Sequence, residues 1–278
     1  MKKIQLAVVS ALLMSSASVF AADRVIVSDK SCANLPSFVQ VQAALKAAVI
    51  NTLAAGGSGT TNHGLDLPMW ATLVNSSGRV CVVAKIGGTD PWPGSRVISA
   101  QKAYTANAFS TENVALSTAN LYSAVQPGGS LYGLQHSNPV NPLFAYAGDS
   151  AQFGTSSDPM IGFRIGGVNV FGGGLALYNS SLKEVGAIGV SGDTSCADHE
   201  IAWKMRASLA ALAISGGPVA RVPGGVHTAS SSISDDNIIY DITPNSNGGT
   251  GISSGGFGHA QCNKPASAAV TPPNNVTN

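Results

Sequence analysis

Charge is scarce in this sequence: Asp, Glu, Lys and Arg together make up 10% of its 278 residues, and no basic block occurs anywhere. Nucleic acid is therefore not an expected partner, because binding phosphates needs concentrated positive charge. Long apolar runs are equally scarce. Beyond the N-terminus no stretch approaches the roughly 20 apolar residues that a bilayer core requires, so no membrane span is expected there. The cysteines form no CxxC pair and the histidines no paired spacing, which argues against zinc. There is no internal repeat. Gly166-Gly167 and Gly172-Gly173-Gly174 fit neither G-x-G-x-x-G nor a P-loop and read as turns or points of close packing.

What is present begins with an export signal. Lys2 and Lys3 give a positive start, Ile4 to Met14 an almost unbroken apolar stretch, and Ser15 to Ala21 a small-residue region. Cleavage after Ala21 is expected, giving a periplasmic or secreted protein. Without Lys2 and Lys3 the basic count falls from 15 to 13 against 14 acids, a net charge of about −1. Cys32, Cys81, Cys196 and Cys262 are an even number in an oxidising destination, so two structural disulfides are expected. Three pairings are possible. Cys32–Cys81 with Cys196–Cys262 is preferred, since the first ties an N-terminal segment to a strand and the second ties a loose tail to a helix start.

Along the chain, Pro36 and Ser37 open a helix with Val41, Leu45, Ala48, Val49 and Leu53 at three- and four-residue spacing, closed by Gly56-Gly57. Leu67–Val74 and Arg79–Lys85 read as a hairpin turning at Asn75-Ser76-Ser77-Gly78. After a rigid loop around Asp90-Pro91-Trp92-Pro93, Ser95 is expected to cap a second helix from Arg96 to Phe109. Glu112–Val125 reads as a third helix, stopped by Pro127-Gly128-Gly129. The segment 143–167 reads as a low-regularity loop region. Val168–Phe171, Leu175–Tyr178 and Val185–Val190 are strand candidates, the last two forming a second hairpin. Ser195 and Asp198 fit a capping box at the start of a final helix with Ala197, Ile201, Met205, Leu209 and Leu212 on one face. Ile238-Ile239-Tyr240 is a short edge-strand candidate in an otherwise Gly/Ser-rich tail. This order predicts one α+β domain, an antiparallel β-sheet flanked by helices, with an irregular C-terminal extension.

Three segments carry a resemblance: GTDPWPGSRVISAQKA, VQPGGSLYGLQHSNP and EVGAIGVSGDTSCADHEIAWKM. Together, and in this order, they resemble the GlcG/HbpS/PduO C-terminal-like family of haem-binding proteins over approximately Pro36 to Leu212. The resemblance implies a profilin-like fold, a tendency to assemble as a homo-oligomer and, for some members, haem binding, with exported members linked to haem sensing, storage or iron protection. The expected organisation is a signal peptide over 1–21, a domain over 22–214 with an insertion at about 143–167, and an extension over 215–278 that is disordered after about 264. Some relatives place an iron-ligating His in the first helix. None stands there in this chain, the nearest being His63.

Haem needs an apolar slot, cationic or hydroxyl partners for its propionates, and a donor such as neutral imidazole on iron. His136, among aromatic loop residues, and His199, in the first turn of the last helix where the dipole disfavours protonation, are the candidate imidazoles. Arg96, Lys102 and Thr105 match the family's second-helix segment and are the candidate propionate partners. Asp90 and Asp198 are weak metal candidates, each also explained as a turn former or cap. Gly189-Val190-Ser191-Gly192-Asp193 departs from the nucleophile elbow at Asp193, and a serine hydrolase is not expected. The leading expectation is an exported haem-binding protein rather than a turnover enzyme, its partner haem or another small planar ligand. The alternatives are an exported enzyme acting on haem or a small organic ligand in the same pocket, and an oligomeric scaffold with no ligand.

Overall fold

Met69, Ala71 and Leu73 lie on one side of their strand and Trp70, Thr72 and Val74 on the other, and both sets are buried. A strand buried on both sides needs a layer on each face of its sheet. The computed structural model supplies both, and it describes residues 32–54, 64, 65, 67–87, 92–228, 234–243, 245–247, 249 and 251–262. The expected signal peptide, Gly56-Gly57, His63, Asp90 and the tail beyond Lys264 lie outside the described residues.

The chain is an α+β protein, as its element order predicts. Strands β1 (Met69–Asn75), β2 (Val80–Ile86), β3 (Gly174–Tyr178) and β4 (Glu184–Ser191) form an antiparallel sheet in the order β2-β1-β4-β3. Helices α1 (Phe38–Ala54) and α5 (Ser195–Ala210) cover one face. Val41, Leu45 and Ala48 meet Ile201, Ala202, Met205 and Leu209 above Leu73, Leu175, Leu177 and Ile188. Helix α2 (Pro93–Phe109) covers the other face through Val97, Ala100, Ala103 and Ala106. Its approach is unusually close. Gly189 stands opposite Gly174 in the β3–β4 register, and a methyl group on Gly189 would collide with the Ser99 carbonyl of α2, one on Gly174 with the Lys102 carbonyl. Two glycines thus let a helix backbone lie on a strand backbone.

Two disulfides tie the ends to this body. Cys32 is bonded to Cys81 of β2, with Cα atoms 5.8 Å apart, and Cys196 of α5 to Cys262, at 6.0 Å. This is the pairing preferred from the sequence.

Several local expectations are corrected. Helix α2 starts at Pro93, two residues before Ser95, because proline suits a first helical position whose N–H has no partner anyway. No helix spans Glu112–Val125. Only two short 3-10 turns form there, Ala119–Leu121 and Ser123–Val125. The hydroxyls and amides of the segment prefer other partners: Ser110 Oγ accepts from the Leu116 N–H, Asn120 Oδ1 from Ser117, and Thr118 Oγ1 from the Gly174 N–H. Val168–Phe171 is not a strand, since Thr105 Oγ1 takes the Asn169 N–H, and Ile238-Ile239-Tyr240 is not one either. In the extension four two-residue strands pair instead, β5 (His227–Thr228) with β6 (Ser234–Asp235) and β7 (Ile242–Thr243) with β8 (Ile252–Ser253).

The 143–167 segment has little regular structure, as expected, yet it is packed. The helical turns α3 (Leu134–Ser137) and α4 (Pro142–Ala145) precede or open it, and Ala145, Phe153, Met160 and Ile165 share one apolar cluster with α2, Trp70 and Val83.

Candidate functional site

The first turn of α5 gathers several buried polar side chains from different parts of the chain. Thr194, not Ser195, caps this helix, its Oγ1 accepting from the Ala197 N–H at 3.2 Å. The expected Ser195/Asp198 capping box is therefore displaced by one residue, and both of its side chains are left for other work. Asp198 accepts from the Asp193 N–H at 3.0 Å with Oδ1, and from Lys102 Nζ at 2.6 Å with Oδ2. Lys102 also donates to the Val190 carbonyl at 3.0 Å. Both side chains are buried. Burial pulls Lys102 below the usual ammonium range and pushes Asp198 up to about 6, and the attraction between the two opposes each shift.

Ser195 Oγ accepts from the Gly172 N–H at 2.6 Å and lies 2.7 Å from His259 Nε2. His259 Nδ1 is 2.6 Å from the Ala260 carbonyl, which can only accept, so Nδ1 carries the proton and Nε2 accepts from the Ser195 hydroxyl. Tyr122 packs on the ring, with centroids 4.7 Å apart. Burial, opposed by the Ala260 bond, lowers the His259 pKa to about 4.

One helical turn further, His199 is fully buried beside Trp203. Neither ring nitrogen has a partner at hydrogen-bonding geometry, and Asn237 is the polar side chain that faces it. Burial lowers its pKa to about 3, with Asp236 opposing. Both imidazoles of this region are thus neutral at pH 7.

The other residues expected from the sequence are dispersed. Arg96 is buried and turned into the 143–167 segment, where it forms a two-pronged pair with Asp158 (2.9 and 2.5 Å) and donates to the Ala145 carbonyl at 2.6 Å. Thr105 is buried and donates to the Gln101 carbonyl. Neither Arg96 nor Lys102 offers a free cation to a propionate in this arrangement, because each is matched by its own carboxylate. His136 lies apart from α5's first turn in kind: it is exposed, on α3, with exposed Tyr132 one turn before it and exposed Leu143 and Tyr146 soon after. Among the described residues no group of three or more His, Cys, Asp or Glu side chains is arranged to hold a metal ion. The fit to haem is therefore divided. An exposed imidazole with exposed Tyr132, Leu143 and Tyr146 near it in sequence suits it, and the internally paired cations do not.

Sequence reasoning missed Asp158, Asp236 and His259. Asp158 and Asp236 sit in segments without periodicity, where nothing marks a carboxylate as buried. His259 did leave a signal: it stands three residues before Cys262, so pairing Cys262 with Cys196 already brings it within reach of Ser195.

The HbpS-like family, described as haem degrading protein HbpS-like, matches residues 45–207. No curated protein matches the chain. Two crystal structures are among those that resemble it. The Klebsiella pneumoniae protein ORFY is 24% identical, over 63% of this chain and 91% of that one, with a TM-score of 0.41. PduOC in complex with heme is also 24% identical, over 63% of this chain and 94% of that one, with a TM-score of 0.40.

Proposed function

From the premise that this chain belongs to the HbpS-like family, we propose that it is an exported haem-binding protein, which captures, senses or stores haem, and that His136 is its iron ligand. The observation that carries the assignment is exposure. Of the histidines whose side chains the structure describes, His136 alone is open to solvent, and it falls inside the matched span. Bound haem would supply redox-active iron and a planar apolar face. His136 would hold the iron through a neutral nitrogen, while Tyr132, Leu143 and Tyr146 would shield the macrocycle from water. Export is supported by the N-terminal charge-and-apolar pattern, by two disulfides, and by the lack among the described residues of any helix long and apolar enough to cross a membrane. The matching organisation is a leader over 1–21, a domain over 22–214 and an extension from 215.

Titrating the purified mature protein with hemin tests this. A saturable Soret shift is expected, weakened at least about tenfold by His136→Ala. No shift, or a shift without saturation, sinks the haem reading, and an unchanged shift in His136→Ala sinks the ligand assignment. Turnover of haem is the second reading. It is favoured by the family's description and by the buried Lys102–Asp198 pair, since shifted pKa values of that kind recur at catalytic sites. Release of CO or a ring-opened tetrapyrrole from hemin under a reductant would support it.

A further inference from the structure

Beyond residue 207 the chain leaves the matched span, and its extension returns to the first turn of α5. Residues 251–262 attach there through few contacts. Gly258 accepts from Ser123 N and Oγ at 3.2 and 2.6 Å, His259 pairs with Ser195 and packs on Tyr122, and Cys262 is bonded to Cys196. The apolar contribution is small. In the cluster around Cys196, only Ala119 and Ile238 are also buried, with Tyr240 and Cys262 at its edge. The disulfide is thus the strongest tether on this stretch.

That disulfide is asymmetric. Cys262 is partly exposed and its sulfur accepts the Cys196 N–H of α5's first turn at 3.2 Å, whereas Cys196 is buried. An incoming thiolate reaches the exposed Cys262 sulfur first and expels Cys196 as a thiolate, and the helix-start N–H on Cys262 stabilises the second thiolate once it is released. The second thiol of the same reagent then displaces Cys262, two electrons pass from the dithiol to the cystine, and the reagent leaves as a cyclic disulfide. Neither Cys32 nor Cys81 sits at the start of a long helix.

We propose that Cys196–Cys262 is a reducible latch: a dithiol reductant opens it, residues 251–262 leave α5, and the buried His199, with the partly exposed Ser195 beside the latch, becomes open to a ligand. His199 is the group that gains most. It is fully buried beside Trp203 on its own helix, with Asn237 as its polar neighbour and Asp236, Arg206 and His259 as the charged or titratable groups whose fields reach it, three of these four from the extension. Removing His259 also frees the Ser195 hydroxyl and opens a route to the imidazole. Which ligand enters rests on the haem reading above, whereas the latch itself does not.

The test compares the oxidised mature protein with Cys196→Ser/Cys262→Ser and with the wild type under graded dithiothreitol. Amide hydrogen exchange over 251–262 and 195–199 is expected to quicken at least tenfold in both opened forms, with β1 and β4 unchanged. Mass spectrometry after alkylation is expected to label Cys196 and Cys262 at dithiothreitol levels that leave Cys32–Cys81 closed, which covers the case of a double variant that folds poorly. Hemin is expected to bind the double variant at least tenfold more tightly, a gain that His199→Ala removes. Unchanged exchange over 251–262, or labelling of Cys32 and Cys81 first, overturns the latch. Quickened exchange with no His199-dependent gain supports the latch and overturns haem as the ligand at His199.

Discussion

The segment 143–167 and the extension after residue 215 are both irregular, and both dock on the body through a buried arginine paired with an aspartate. Arg96 of α2 meets Asp158 of the first, and Arg206 of α5 meets Asp236 of the second, with two bonds of 2.7 Å. In each case the guanidinium also lies over an aromatic ring, Phe153 for Arg96 and Trp203 for Arg206. The difference lies in what accompanies the pair. The first segment contributes Phe153, Met160 and Ile165 to the cluster beneath α2, so it is part of the core. The second buries Ile238 and places only Val222, Tyr240 and Cys262 at cluster edges, and a disulfide holds its end. A segment without a periodic apolar face can be fixed by a specific buried ion pair, and the apolar area beside that pair decides whether it unfolds with the domain or separately.

The largest effect is expected from Asp158→Ala, which leaves Arg96 buried without its counter-charge. The loss should be about 3–5 kcal/mol and should appear as a lower midpoint of global unfolding by denaturant. Asp236→Ala strands Arg206 in the same way. There the extension can peel off and let water reach the guanidinium, so the global loss should be smaller, roughly 1–3 kcal/mol, with hydrogen-exchange protection lost first over 234–262. Equal global losses for the two variants would erase the distinction between the segments.

That distinction was only half legible in the sequence. The sheet, the α1 and α5 faces and both hairpins follow from apolar spacing, because Val41, Leu45 and Ala48, or Leu73 and Ile188, owe their burial to a repeat that the chain itself displays. The 143–167 segment and the Gly/Ser-rich tail were visible as departures from regularity, and both disulfide pairs were reached from what each cysteine would tie down. What stayed hidden was where the cations point. Arg96 and Lys102 read equally well as an exposed helix face, because their partners Asp158 and Asp198 lie 62 and 96 residues away, separations that no local pattern connects. The false third helix has a related cause: Ser110, Ser117 and Thr118 have local and long-range oxygen and amide partners that outcompete helix bonds, and composition alone does not reveal them.

A smaller effect concerns acid. His259 holds a pKa of about 4 in the folded chain against an ordinary value of 6.5, so its seating favours the neutral ring. Such a depressed group contributes stability that is full above pH 6.5 and is lost as pH falls towards 4, at no more than about 1.4 kcal/mol per pH unit. His199 acts in the same sense over a window reaching about pH 3. Asp198, raised to about 6, acts in the opposite sense and loses stability as pH rises from about 4 to 6, so the net slope is shallower than the two histidines alone would give. His259→Gln should therefore flatten the acid limb of a stability profile measured between pH 7 and 4, and the change should be seated in the extension. If the slope is the same in the variant, His259 is not where the protons enter.

The smallest effect marks the floor of the comparison. Glu200 and Lys204 form an i,i+4 pair at 2.7 Å on α5, with side chains 17% and 33% exposed, so water screens the pair and neither charge is stranded when the other goes. Glu200→Gln should cost no more than about 0.5 kcal/mol in the same denaturant assay. The same helix carries Arg206, one turn or so further on, whose partner is worth several times as much by the same measurement. Two ion pairs of equal length on one helix then differ because one faces water and the other is enclosed by the extension. A cost for Glu200→Gln comparable to that of Asp236→Ala would mean that charge alone, and not enclosure, holds the extension in place.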